Sequence, residues 1–166
     1  LAESNKVPLL NLHSGNMVDA PLTNGYLFNK ITIHQTVAES DLICSVPMMK
    51  THVLATVTLS MKNLIGLYPG TVYYSVRSWL HDHAATKGSP GVAYEIVDMN
   101  KVAKTGLVII DASSAMEGDG PSDGTLVDMG LIIAGTNPLA ADMVATKLMG
   151  IGLEEVPYIV LGQKAG

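Results

Sequence analysis

The sequence holds a single cysteine, Cys44, among 166 residues. One thiol excludes a disulfide within the chain. It also excludes an iron–sulfur cluster bound by this chain alone, because a cluster takes four ligands. Charge is scarce as well: 15% of residues are charged and 48% are apolar, against a usual charged share of about 25%. That balance points to heavy burial or to a large partner surface. The net charge is −5, and lysine and arginine are nowhere clustered. A nucleic-acid backbone needs many cationic contacts, so nucleic acid is excluded as a partner. Long apolar runs are missing too. The longest, Val53 to Leu67, is interrupted by Lys62 and Asn63 and is too short to span a membrane. No phosphate-binding loop with lysine, nucleophile elbow, zincin helix or paired-cysteine motif occurs. Nor does any internal repeat or linker, so residues 1–166 read as one domain. The chain opens on Leu1 without a leader. We therefore expect a piece of a longer, cytoplasmic protein, truncated at both ends.

What is present alternates between strand and helix patterns. Val7 to Leu12, Lys30 to His34 and Leu42 to Val46 read as strands, and Asn16 to Gly25 as a loop. Ala38 to Asp41 reads as a short turn. The run Leu42-Ile43-Cys44-Ser45-Val46 is nearly all apolar, as in a strand buried on both faces, with Cys44 a small buried hydrophobe. Thr51 to Gly66 fits both a helical stripe and a strand alternation; its length and closing glycine favour a helix. Ser89-Pro90 predicts a helix to about Lys104, followed by a strand over 107–111. Residues 129–134 predict another strand, Asn137 to Met149 a capped helix, and Glu154 to Leu161 a last one. The fold class is α/β, with a mainly parallel or mixed sheet flanked by helices.

In an open α/β sheet, ligands bind beyond the carboxyl ends of strands. Three polar segments fall there. Lys50, Thr51 and His52, with Thr58, Lys62 and Asn63, offer cations, a proton carrier and an amide to an anionic or carbonyl substrate. We take Lys50, His52 and Lys62 as candidate catalytic residues. Thr51, Thr58, Asn63, Gly118, Gly120 and Asn137 are the candidate binding residues. The loop Glu117 to Gly124 fits neither a dinucleotide fingerprint nor a calcium loop. With Asp111, its Glu117 and Asp119 form a candidate divalent-metal set. His81-Asp82-His83 is the only local histidine pair, and it reads better as a polar loop than as a metal site. His13 and His34 read as ordinary structural or surface histidines.

Four segments carry a family resemblance. They are Asp41 to His52 with Val46-Pro47-Met48-Met49-Lys50-Thr51-His52, then Thr58 to Gly66, then Asp111-Ala112 with Ala115 to Pro121 and Gly124, then Gly135-Thr136-Asn137-Pro138 with Ala140 and Asp142. In order and spacing the chain resembles the domain of unknown function 362 family over residues 38–166, and only loosely over 1–37. Members often carry ferredoxin-like iron–sulfur modules. The resemblance thus implies an iron–sulfur-associated redox setting, an oxidoreductase label, and a ferredoxin-like domain or electron carrier as partner. The alternative to an enzyme domain is a non-catalytic module that docks such a carrier. Anaerobic reconstitution with iron and sulfide should leave the isolated chain without a stoichiometric cluster. Iron and sulfide analysis checks this, and a cluster in the monomer would contradict it.

Overall fold

The computed structural model describes residues 2–74, 80, 82 and 88–166. The two histidines of His81-Asp82-His83 therefore lie outside the described residues. An antiparallel hairpin pairs β1 (Met17–Pro21) with β2 (Lys30–His34). It leads through α1 (Gln35–Glu39) into a mixed sheet of β3 (Ile43–Ser45), β4 (Met48–His52), β5 (Thr56–Thr58), β6 (Thr105–Glu117) and β7 (Thr125–Gly135). The helices are α2 (Ser60–Asn63), α3 (Gly70–Tyr73), α4 (Ala93–Val102), α5 (Pro138–Leu148) and α6 (Pro157–Ala165).

β6 is the spine. β3 and β4 run parallel to it one after the other, with Ile43 opposite Thr105 and Met48 opposite Asp111. Between them the Pro47 carbonyl accepts from the Asp111 N–H at 2.8 Å, so the ladder continues across the break. β7 takes the other edge, antiparallel, with Val108 opposite Gly135 and Glu117 opposite Thr125. β5 folds back on β4.

Several expectations are corrected. Residues 51–66 are not one helix: β4 ends at His52, β5 follows, and only Ser60–Asn63 is helical. The strand alternation wins because Val57 must reach the core, where it is fully buried. Val7 to Leu12 forms no strand, and Leu9 lies open to solvent. Residues 17–21, read as loop, supply the partner that β2 requires. The strand at 42–46 is buried on one face alone, and Cys44 is exposed.

The main core lies between the sheet and α4, α5 and α6. It joins Val108, Ile110 and Ala112 of β6 to Ile96, Val97, Ala141, Ala145, Tyr158 and Ile159. A second cluster sets Ile31 and Ile33 of β2 against Tyr68, Tyr73 and Met99. Asp98 of α4 joins the two, because its carboxylate accepts from the N–H groups of Tyr26, Leu27 and Phe28 at 2.7, 2.8 and 3.0 Å. Among the described residues no helix is long and apolar enough to cross a membrane.

Besides Asp98, Glu95 and Asp142 are buried in this framework. Glu95 accepts from the Ser89 hydroxyl at 3.0 Å, and burial pushes its carboxyl up to about 7. Burial likewise raises Asp142 to about 7, against three hydrogen bonds that lower it. Each therefore keeps a proton in the folded state that the unfolded chain has released. The folded state should be penalised progressively as pH rises from about 4 to about 7, and not below that window. Glu95→Gln should flatten the decline. Tm measured from pH 4 to 8 checks this, and a fall as steep as the parent's would remove Glu95 as a source.

Candidate functional site

The carboxyl end of β4 opens into a cleft of about 640 Å³. Lys50 and Thr58 stand directly opposite each other on β4 and β5, and both line it. α2 adds Lys62 and Asn63, and His52 closes the end of β4. Pro121 and Ser122, just beyond β6, form the facing wall. The cleft thus sits where two parallel strands end, as the α/β rule expects.

Each group is held by a specific contact. Lys50 Nζ donates to the Pro121 carbonyl at 3.2 Å. His52 Nδ1 accepts from the N–H groups of Leu54 and Ala55 at 3.0 and 3.2 Å. With Nδ1 an acceptor, the ring proton sits on Nε2, so the ring offers a donor. Asn63 Nδ2 donates to the Ser45 hydroxyl at 3.2 Å, which ties α2 to β3. The Thr58 hydroxyl is buried and makes no hydrogen bond among the described residues. A buried hydroxyl without a partner is costly, and a ligand atom would satisfy it.

The wall at Pro121 is built from backbone. Thr51 does not line the cleft; its hydroxyl donates to the Gly118 carbonyl at 2.8 Å, and the Val53 N–H donates to the Gly120 carbonyl at 3.1 Å. A Cβ at Gly120 would collide with the Thr51 carbonyl, so only glycine lets the loop lie this close. Gly118 and Gly120 therefore shape the site without entering it.

Other expected residues lie elsewhere. Asn137 caps α5, its side chain accepting from the Ala140 N–H at 2.9 Å, and it lines a separate cavity of about 250 Å³. Asp111 pairs with Met48, and Ser113 donates to it twice, at 2.6 and 2.9 Å, which holds its carboxyl below the ordinary value. Glu117 is six residues further along β6, on the order of 20 Å away in an extended strand, and borders a different small cavity. Asp119 is exposed. Among the described residues no three His, Cys, Asp or Glu side chains gather as a metal would require.

His13 enters the site from outside the expected set. It lines the cleft, and its Nδ1 accepts from the Gly70 N–H at 2.7 Å, leaving the proton on Nε2. No short-range spacing connects residue 13 to residue 50, so nothing local signalled it. Among the described residues that line the cleft are two lysines and two histidines and no carboxylate.

α2 itself is placed by Asp142. A four-residue helix cannot hold itself, and its N-cap is Leu59, which has no capping group. Asp142, from α5, does that work. Its oxygens accept from the Ser60 and Met61 N–H groups at 2.8 and 2.9 Å and from the Tyr158 hydroxyl at 3.1 Å.

The family model described as Domain of unknown function (DUF362) matches residues 1–147. It takes in the N-terminal 37 residues, where the motif resemblance is loose, and stops short of α6. A curated relative is the Thylakoid-associated protein sll1697 of Synechocystis sp., 25% identical over 166 residues, which cover 100% of this chain and 49% of the relative. The chain thus spans about half the length of the curated relative it matches. No solved structure matches the chain.

Asp142→Asn can set an amide N–H against backbone donors that now meet carboxyl oxygens. Its expected cost is about 1–3 kcal/mol, that of a buried polar group left badly paired. Denaturant unfolding measures it, and parental stability would show that α2 needs no cap from α5.

Proposed function

The chain belongs to the Domain of unknown function (DUF362) family, and we propose that its cleft binds a small anionic or carbonyl-bearing substrate as part of an enzyme. One observation carries the reading: Lys50, Lys62, His13, His52 and the unsatisfied Thr58 hydroxyl share one cleft. Cations and N–H donors gathered in this way favour a negative ligand, and a semi-enclosed cleft strengthens each contact.

The roles follow from the donor set. The two ammonium groups take the substrate's charge. The Nε2–H of His52 polarises a carbonyl as a neutral donor, because its Nδ1 is committed to the backbone. Thr58 and Asn63 orient the substrate. Proton transfer falls to Lys50 or Lys62, the amines of the cleft. The redox setting and the ferredoxin-like partner belong to this proposal on the family resemblance alone; a cytoplasmic location is proposed beside them. The relative's name ties that protein to thylakoids.

Inorganic phosphate and pyruvate serve as probes, titrated calorimetrically at low salt. Binding should weaken as salt rises. Lys50→Ala and Lys62→Ala should each weaken it at least tenfold with little change in Tm, since both lysines are only half-buried and ion pairs near the surface contribute only about 0–1 kcal/mol to folding. Unchanged affinity in both variants, or no binding of either probe by the parent, would sink the reading. Unfolding of Lys62→Ala would make that residue structural.

A further inference from the structure

We propose that the uncovered face of the sheet is a docking surface for a second layer of the same, longer polypeptide, an apolar layer supplied from outside these 166 residues. The evidence begins with alternation. From Leu42 to Met49, exposure follows period two: Ser45, Pro47 and Met49 are buried, while Leu42, Cys44, Val46 and Met48 are open. Both sets are mostly apolar. Leu42, Val46 and Met48 remain 53%, 59% and 47% exposed.

The neighbouring strands extend the same surface. Register sets Cys44 beside Leu107 on β6 and Met48 beside Asp111. Across β6, Ile109 faces Ala134 and Asp111 faces Ile132, which is 70% exposed. Val108, Ile110 and Ala112, the alternate set of β6, are fully buried under the helices. Among the described residues one face is therefore covered and the other is left largely open, with Leu107, Ile109 and Asp111 half-buried at its centre.

Parallel strands are found almost only with both faces covered. An apolar sheet face of this kind in water marks an interaction surface. The occupant is indicated by length. This chain covers all of its own length but 49% of the relative, so a polypeptide of this kind has as much chain again from which to build a layer. A covering layer from the same polypeptide also meets no association cost, unlike a separate partner. The Asp111 carboxylate lies within the bare face, so the layer should bring a cation or an N–H donor to it.

Cys44 is a built-in probe, being the chain's only cysteine and exposed on this face. Its alkylation by N-ethylmaleimide, read by mass spectrometry of the Cys44 peptide, should be fast in the isolated chain and at least tenfold slower in the complete gene product. Val46→Lys and Ile132→Lys should leave the Tm of the isolated chain within a few degrees of the parent and lower that of the complete product. Equal Cys44 reactivity in both proteins would overturn the proposal. So would a complete product no longer than these residues. Protection that appears in the isolated chain as its concentration rises, with a dimer by light scattering, would instead assign the face to a second copy and also overturn it. Failure of anion binding in the cleft bears on none of these outcomes.

Discussion

The buried carboxylate of Asp142 is the contact on which the site depends. α2 is one turn long and starts at a leucine that cannot cap it. Without an outside acceptor, its first N–H groups would be buried and unpaired, a cost of about 1–3 kcal/mol each. Asp142 takes two of them and the Tyr158 hydroxyl as well, so a single side chain fixes α2 against α5 and α6. Lys62 and Asn63 ride on that turn into the cleft. The arrangement carries its own opposition. The three donors suit an ionised acid, but burial outweighs them and lifts the group to about 7. The anchor of the cleft is thus a group whose charge is contested near neutral pH.

The α/β class, the strands at 30–34, 43–45 and within 105–117, and the helix from Pro138 could be read from periodicity and caps. They are segments in which local pattern and tertiary need agree. Thr51 to Gly66 could not be read that way. Its residues satisfy periods of 2 and 3.6 together, and the decision came from outside the segment, through the β4–β5 pairing and the core that receives Val57. The orientation of β7 was equally hidden. A seven-residue connection from β6 to β7 suits a return strand, but its glycines and acids report turn chemistry and not strand direction.

The site divides along the same line. Lys50, His52, Thr58, Lys62 and Asn63 are near in sequence, and the fold does bring them to one cleft. The acids Asp111, Glu117 and Asp119, expected as a metal set, do not line it. The loop meets β4 through its carbonyls at Gly118, Gly120 and Pro121, and a carbonyl is carried by every residue type. Sequence patterns report side chains, so a wall built from backbone leaves no trace except the glycine that permits its approach. His13 was invisible for a different reason: its place depends on a bond to Gly70, 57 residues away.

The run from Leu42 to Val46 carries the deeper lesson about absence. Read alone, it calls for burial on both faces, and the fold covers one. That is not a failure of the hydrophobic pattern, because the covered half obeys it residue by residue. Selection cannot hold Leu42, Val46, Met48 and Ile132 apolar to serve solvent, since exposed apolar side chains gain nothing there and favour aggregation. The cheaper sequence for a one-sided sheet would alternate apolar with polar, as antiparallel sheets with one wet face do. An apolar set on that face is therefore a record of a surface that these strands were built to meet.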